Sequence, residues 1–195
     1  MEFSRYANQY LERLKGVIDA IDLAGFQNIA AEILAAYHRQ ARIFVMGNGG
    51  SGATASHLAC DINKGCCLDL EKKFKMICLN DNMPTMLALA NDISYEAVFA
   101  EQLKNFFEPG DLVIGISGSG NSPNVLRAIE YARAHGGRTM GWCGFSGGKL
   151  APMVDVAFVV PSHDMQQVED VHIILAHMLM QTVFRSLHGD LPVCA

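Results

Sequence analysis

Two apolar runs in this chain break off abruptly into glycine and serine: "RIFVMGNGGS", ending at Ser51, and "GDLVIGISGSGNS", ending at Ser122. A short, continuous apolar run that stops at Gly is how a strand of a parallel sheet looks, because both its faces are buried. Three more segments, "FKMICLN", "RTMGWCGF" and "VDVAFVV", share that texture. Helical stretches separate the five: "ATASHLACDINKG", "MPTMLALAND" with "YEAVFAEQLKNFF", and "VLRAIEYARAHGG", with "MQQVEDVHIILAHMLMQTVFRSLHG" closing the chain. Strands alternating with helices specify an α/β fold, a three-layer sandwich with a doubly wound, five-stranded parallel sheet and right-handed crossovers.

The first 40 residues have a different texture. Tyr6, Tyr10, Leu11, Leu14, Val17, Ile18 and Ile21 recur near the helical period, and a second helical segment runs from Phe26 to Gln40. At 195 residues the chain sustains one full core and is short for two. One domain over 1–195 is therefore expected, its helical N-terminal extension (1–40) packing on it or on a neighbouring subunit. The run "VHIILAHMLMQTVF" in the last helix is too apolar for one face, which points to a homo-oligomer.

Composition narrows the partners. Half the residues are apolar and 18% are charged, which excludes a disordered chain. A formal charge of −5, with no basic block, argues against nucleic acid. The six cysteines, Cys60, Cys66, Cys67, Cys78, Cys143 and Cys194, form no C-x2-C pair. No leader and no membrane-length apolar run is visible, so a cytoplasmic protein with reduced thiols and no membrane partner is expected.

The chemistry concentrates at the two Gly/Ser loops. In open α/β sheets ligands bind beyond the carboxyl ends of strands, where helix N-termini offer free N–H groups and a favourable dipole to an anion. Ser117, Ser119 and Ser122 can place three hydroxyls around a phosphate, and Ser51 a fourth. Glycine and serine also make ordinary turns and N-caps. One such loop is a turn; two at equivalent strand ends point to a site. Neither loop is a Walker A or a G-x-G-x-x-G motif, which favours a phosphorylated small molecule over a nucleotide. Beyond Ser51, His57 and Asp61 lie four apart on one helix face, suited to a divalent metal, to acid–base work or to a plain surface contact. In the last helix Glu169 and His172 are near enough to meet. Glu169 and His177 are eight residues, ~12 Å, apart, so spacing does not make them share a ligand.

"GNGGS…H…D", "LANDISYEAVFAEQL", "SGSGNSPNVLRAIEYAR" and "VPSHDMQQVEDVHIILAHML" together resemble the sugar-isomerase (SIS) domain family and, within it, the phosphoheptose isomerases. The resemblance implies an aldose–ketose isomerase of phosphorylated sugars, sedoheptulose 7-phosphate giving the heptose 7-phosphate. It also implies a homotetramer with sites between subunits. By the same resemblance Asn48, Gly49, Gly50, Ser51, Asn91 and Asp92 bind the sugar, and Ser117, Gly118, Ser119 and Ser122 hold the phosphate. His57, Asp61, Glu169 and His177 fall where the family binds zinc. Asp61, Glu169 and His177 are the catalytic candidates, the carboxylates as base and the histidine as acid; Asp61 and Glu169 also touch substrate.

Three positions depart from the family pattern. Asp61 stands for a glutamate, Glu169 for a glutamine, and Gly118 for a threonine or serine. The extra charge at Glu169 favours a cation nearby, since two close carboxylates repel. A non-catalytic phosphosugar-binding regulator, of the DnaA-binding initiator-associating type, shares most of these motifs but lacks the second histidine of the last helix, present here as His177. An isomerase of a different sugar phosphate is the third reading.

Overall fold

The computed structural model describes residues 2–189, so Cys194 lies outside the described residues. Two helices come first, α1 (Phe3–Asp19) and α2 (Leu23–His38). The alternating part then runs β1 (Ile43–Gly47), α3 (Gly49–Cys60), β2 (Met76–Cys78), α4 (Met83–Asp92), α5 (Val98–Phe106), β3 (Leu112–Ile116), α6 (Pro123–Ala134), β4 (Arg138–Cys143), β5 (Val156–Val159) and α7 (Met165–Leu187). All five strands are parallel, in the order β2-β1-β3-β4-β5, as the apolar runs specify. β2 is only three residues long against the seven of "FKMICLN". It is an edge strand, with β1 alone to pair with.

The order reverses direction between β1 and β3. That is the topological switch point, where the crossovers leave to opposite faces and open a crevice. β1 and β3 are the strands that end in the Gly/Ser loops. Alternation along β1 divides the core: Ile43 and Val45 face α2, α3 and α7, whereas Phe44 and Met46 face α5 and α6. Trp142 is the largest fully buried side chain, on the α7 side.

α1 buries no residue outright. Its Leu14 and Val17, with Ile21 just beyond, pack half-buried on the α2–α7 layer. The Tyr10 hydroxyl donates to Asp170 Oδ2 at 2.5 Å, and this bond chiefly pushes the phenol pKa up to about 12. Tyr6, Leu11 and Ile18, part of the same sequence periodicity, face solvent. α7 buries Val168, Val171, Leu175, Leu179 and Val183 as a single stripe, while Ile173, Ile174 and Met178 are half-buried within the chain itself.

Among the described cysteines none is disulfide-bonded. Burial pushes the thiols of Cys66, Cys78 and Cys143 up to about 12, which keeps them protonated and inert. No helix among the described residues is long and apolar enough to cross a membrane.

His172, which sequence spacing allowed to meet Glu169, turns into the core instead. It is 0% exposed, lies against Trp142, and its Nε2–H donates to the Cys143 carbonyl at 3.2 Å. Desolvation lowers its pKa from 6.5 to about 4. Because the folded value is the lower one, the unfolded chain takes up this proton first as pH falls. Stability from neutral His172 is complete above about pH 6.5 and lost progressively down to about pH 4, a total of about 3 kcal/mol. Urea unfolding at pH 7, 5.5 and 4.5 should show that decline, and His172→Phe should make it shallower. An unchanged slope in the variant would remove His172 as the cause.

Candidate active site

Helix capping sets the two loops apart from three other helix starts. Asp22, Asn82 and Asp164 cap α2, α4 and α7, each side chain accepting a backbone N–H of the first turn. Asn48 and Ser122 stand at the same position before α3 and α6 and are equally good capping residues, yet neither caps. The Asn48 amide pairs with Asn124 instead, and the Ser122 hydroxyl lies 2.9 Å from the Ser117 hydroxyl. The starts of two neighbouring helices are thus left without an N-cap side-chain bond, at the switch point beyond the ends of β1 and β3, although in α6 the Val125 N–H is taken by Asn124 Oδ1. A turn-and-cap role does not account for that, whereas an anion cradle does.

α3 begins inside "GNGGS", four residues before the helical content of "ATASHLAC" starts, so Gly49, Gly50 and Ser51 are themselves its first turn. The loop is held from below by Asn80, whose amide bonds both the N–H and the C=O of Gly47. The second loop is held by the segment after β4: Gly144 N–H donates to Gly118 O, and Leu150 N–H to Gly120 O. Gly120 has φ +67°, and a Cβ there would strike the Gly147 carbonyl, so this turn requires glycine. Ser119 Oγ accepts the Asn121 N–H at 3.2 Å. The side-chain space at Gly118 is already filled: a Cβ would collide with Met165 Sδ, with Val168 Cγ1 at 3.7 Å. The departure from threonine or serine at this position is thereby matched by Met165 from α7.

α3 and α7 lie side by side and run in the same direction, and this arranges the reactive groups. At one end the Glu169 carboxylate lies over Gly50; a Cβ on Gly50 would sit 2.5 Å from Glu169 Cδ. Two turns on, His177 Nε2 meets His57 Nε2 at 2.9 Å, and further on Met180 packs on Gly65. The eight residues from Glu169 to His177 span nearly the same length as the seven from Gly50 to His57. Within the chain the two α7 groups therefore serve opposite ends of one seam. Just after His57, α3 widens into a π-helical turn, Asp61–Gly65, which starts at the carboxylate in question. Asp61 Oδ2 is 3.2 Å from His57 Nε2.

His57, Asp61 and His177 thus bring one donor atom each to within 4.8 Å of the others. Two imidazole nitrogens and one carboxylate oxygen are the donor set of many catalytic zinc sites, and two facing Nε2 atoms suit a shared ion. The residues fit the metal. Glu169 is not part of this group within the chain. Asn91 and Asp92 are exposed at the end of α4, Asn91 Nδ2 donating to Asp92 Oδ1 at 2.8 Å. Tyr95, three residues on, brings their segment to Asn48 through a 2.8 Å hydrogen bond. Tyr95, Asn124 and Met165 were not singled out in the sequence. Only the Asn that follows "NSP" in the first turn of α6 offered a signal.

A SIS domain model matches residues 5–144. The phosphoheptose isomerase of Pelobacter propionicus is 39% identical over 167 residues, 82% of this chain and 84% of that protein. The one from Thermodesulfovibrio yellowstonii is 41% identical over 156 residues, 78% of this chain and 76% of that protein. The solved structure of phosphoheptose isomerase GmhA from Neisseria gonorrhoeae superposes with a TM-score of 0.85 at 28% identity, covering 94% of this chain and 98% of that one.

Proposed function

Since the chain belongs to the phosphoheptose isomerase family of SIS-domain proteins, we propose that it interconverts sedoheptulose 7-phosphate and the corresponding aldoheptose 7-phosphate. The observation that carries this reading is the pair of uncapped helix starts at the switch point, with Glu169 at one of them and the His57–Asp61–His177 group along the same seam. The phosphate takes the 117–122 loop, where Ser117, Ser119 and Ser122 supply hydroxyls, Gly118 its backbone, and Gly120 the turn that shapes the loop. Asn48, Gly49, Gly50 and Ser51 receive the sugar end, with Asn91 and Asp92 alongside.

Ketose–aldose isomerisation moves a proton between the carbonyl carbon's neighbour and the carbonyl carbon itself, through an enediolate. Glu169 is assigned the base role. Its carboxylate lies at the cradle with no ion pair among the described residues, whereas Asp61 faces His57 at 3.2 Å. His177 handles the oxygen, donating a proton to the developing oxyanion; because it lies two turns along the seam from Glu169 in its own chain, the His177 that completes a given cradle comes from a neighbouring subunit. His57, Asp61 and His177 would hold zinc, which when bound supplies Lewis-acid stabilisation of that charge. One imidazole nitrogen cannot carry a proton and a metal at once, so the two roles of His177 are alternatives that a chelator separates.

We also place the protein in the cytoplasm as a homo-oligomer, a tetramer by its family. Exposed Phe3 and Tyr6 on α1 and Met83 and Leu87 on α4 support an assembly, being apolar surface that a lone chain leaves in water. The test is a coupled assay on a panel of five- to seven-carbon ketose phosphates, after chelation and with zinc restored. Conversion of the seven-carbon substrate above the shorter ones is expected. Binding without conversion of any of them would instead support a phosphosugar-binding regulator.

A further inference from the structure

The two ligand loops are tied together by a pair of amides. Asn48 Nδ2 donates to Asn124 Oδ1 at 2.9 Å, and Asn124 Nδ2 returns the bond to Asn48 Oδ1, also at 2.9 Å. The Tyr95 hydroxyl adds a second bond to Asn48 Oδ1 at 2.8 Å, and the Val125 N–H donates to Asn124 Oδ1 at 3.0 Å. Asn124 is 1% exposed, whereas Asn48 is only half-buried.

Counting bonding capacity shows what this arrangement does. An amide oxygen accepts two bonds and an amide nitrogen donates two. Both acceptor positions on Asn48 are filled, by the Tyr95 O–H and the Asn124 N–H. One donor is taken by Asn124 Oδ1, whose own orientation is fixed by the backbone N–H of Val125. Asn48 therefore cannot flip its amide without losing both bonds to Asn124, and one N–H is left over on a residue that is open to a ligand. The same pair links residue 48 of the first loop to residue 124 of the second, fixing the separation of the sugar and phosphate ends of the cradle.

We infer that Asn124 and Tyr95 are positioning residues that act through Asn48, holding its free N–H on the substrate and keeping the two loops in register. This rests on the isomerase reading above. Neither residue touches the reacting atoms, and each works by removing freedom from one that does.

A double-mutant cycle tests it. Asn124→Ala and Tyr95→Phe are each made in the natural chain and in Asn48→Ala, and kcat and KM for sedoheptulose 7-phosphate are measured, with inorganic phosphate as competitive inhibitor. In the natural chain Asn124→Ala should lower kcat/KM at least about tenfold and Tyr95→Phe about threefold. In Asn48→Ala both losses should shrink to less than about twofold, because their target is gone. Inhibition by phosphate should stay within about twofold for Tyr95→Phe, which sits at an exposed position and keeps the fold. Equal losses in both backgrounds would overturn the inference and leave the isomerase intact. A natural chain that converts no sugar phosphate would overturn the isomerase reading and this inference with it.

Discussion

His177→Ala should lower kcat by about a thousandfold, the middle of the range for losing a positioned proton donor. The melting temperature should change little. His177 is an exposed residue of α7, on the side away from the stripe that Leu175 and Leu179 bury, so its removal opens no cavity. It meets His57 at 2.9 Å, with Asp61 nearby. The variant also separates the two uses of that nitrogen. If His177 works as a ligand, His57→Ala should match its loss, both should reduce bound zinc, and added zinc should recover part of the activity. If it works as the proton donor, His57→Ala should be milder and zinc should recover nothing. The coupled assay, a thermal melt and metal content by elemental analysis read all of this. Full turnover by His177→Ala would take the residue out of the mechanism altogether.

How far the sequence reaches depends on the range of the interactions involved. The strands before the two loops are legible because burial on both faces leaves an unbroken apolar run, Ile43 to Met46 and Leu112 to Ile114. His57 and Asp61 are legible because four residues of one helix share a face, and the structure sets them 3.2 Å apart. Glu169 and His177 resist such reading, since their relation is set by α7 lying alongside α3 in the same direction. Spacing on α7 alone says that they are far apart, and only the docked neighbour shows that each has a partner, Gly50 and His57, at matching intervals. His172 misleads for the opposite reason. Its distance from Glu169 along the helix is right, but the helix rotation set by Val168, Val171 and Leu175 aims it at Trp142. The amide pair of Asn48 and Asn124 bridges 76 residues and exists only once β1 and β3 are neighbours. Local pattern cannot contain it.

Glu169→Gln is the most informative single change, because it keeps the shape and removes only the charge. With the carboxylate lying over Gly50, the glutamine isostere fits the same space. A lost general base should therefore appear in kcat, by about a hundredfold or more, with KM within a few-fold. The site has a second carboxylate, and its position decides what that one can do. Asp61 is committed to His57, and its side chain is one methylene shorter than the glutamate expected there from the family pattern. Within one chain Asp61 lies eleven residues, ~16 Å, along the helix from Gly50, so it approaches a cradle only with the His57–His177 group of a neighbouring subunit in the proposed oligomer; there it stays on its own histidine, which leaves Glu169 to supply the base. Lengthening the side chain should then restore what Glu169→Gln removes. The double variant Asp61→Glu with Glu169→Gln should regain at least about tenfold in kcat over Glu169→Gln alone, while Asp61→Glu by itself adds little. Such non-additivity would show the two positions sharing one task, the carboxylate having moved from α3 to α7. Undiminished kcat in Glu169→Gln would place the base at Asp61 after all, and leave Glu169 as a charge that only tunes binding.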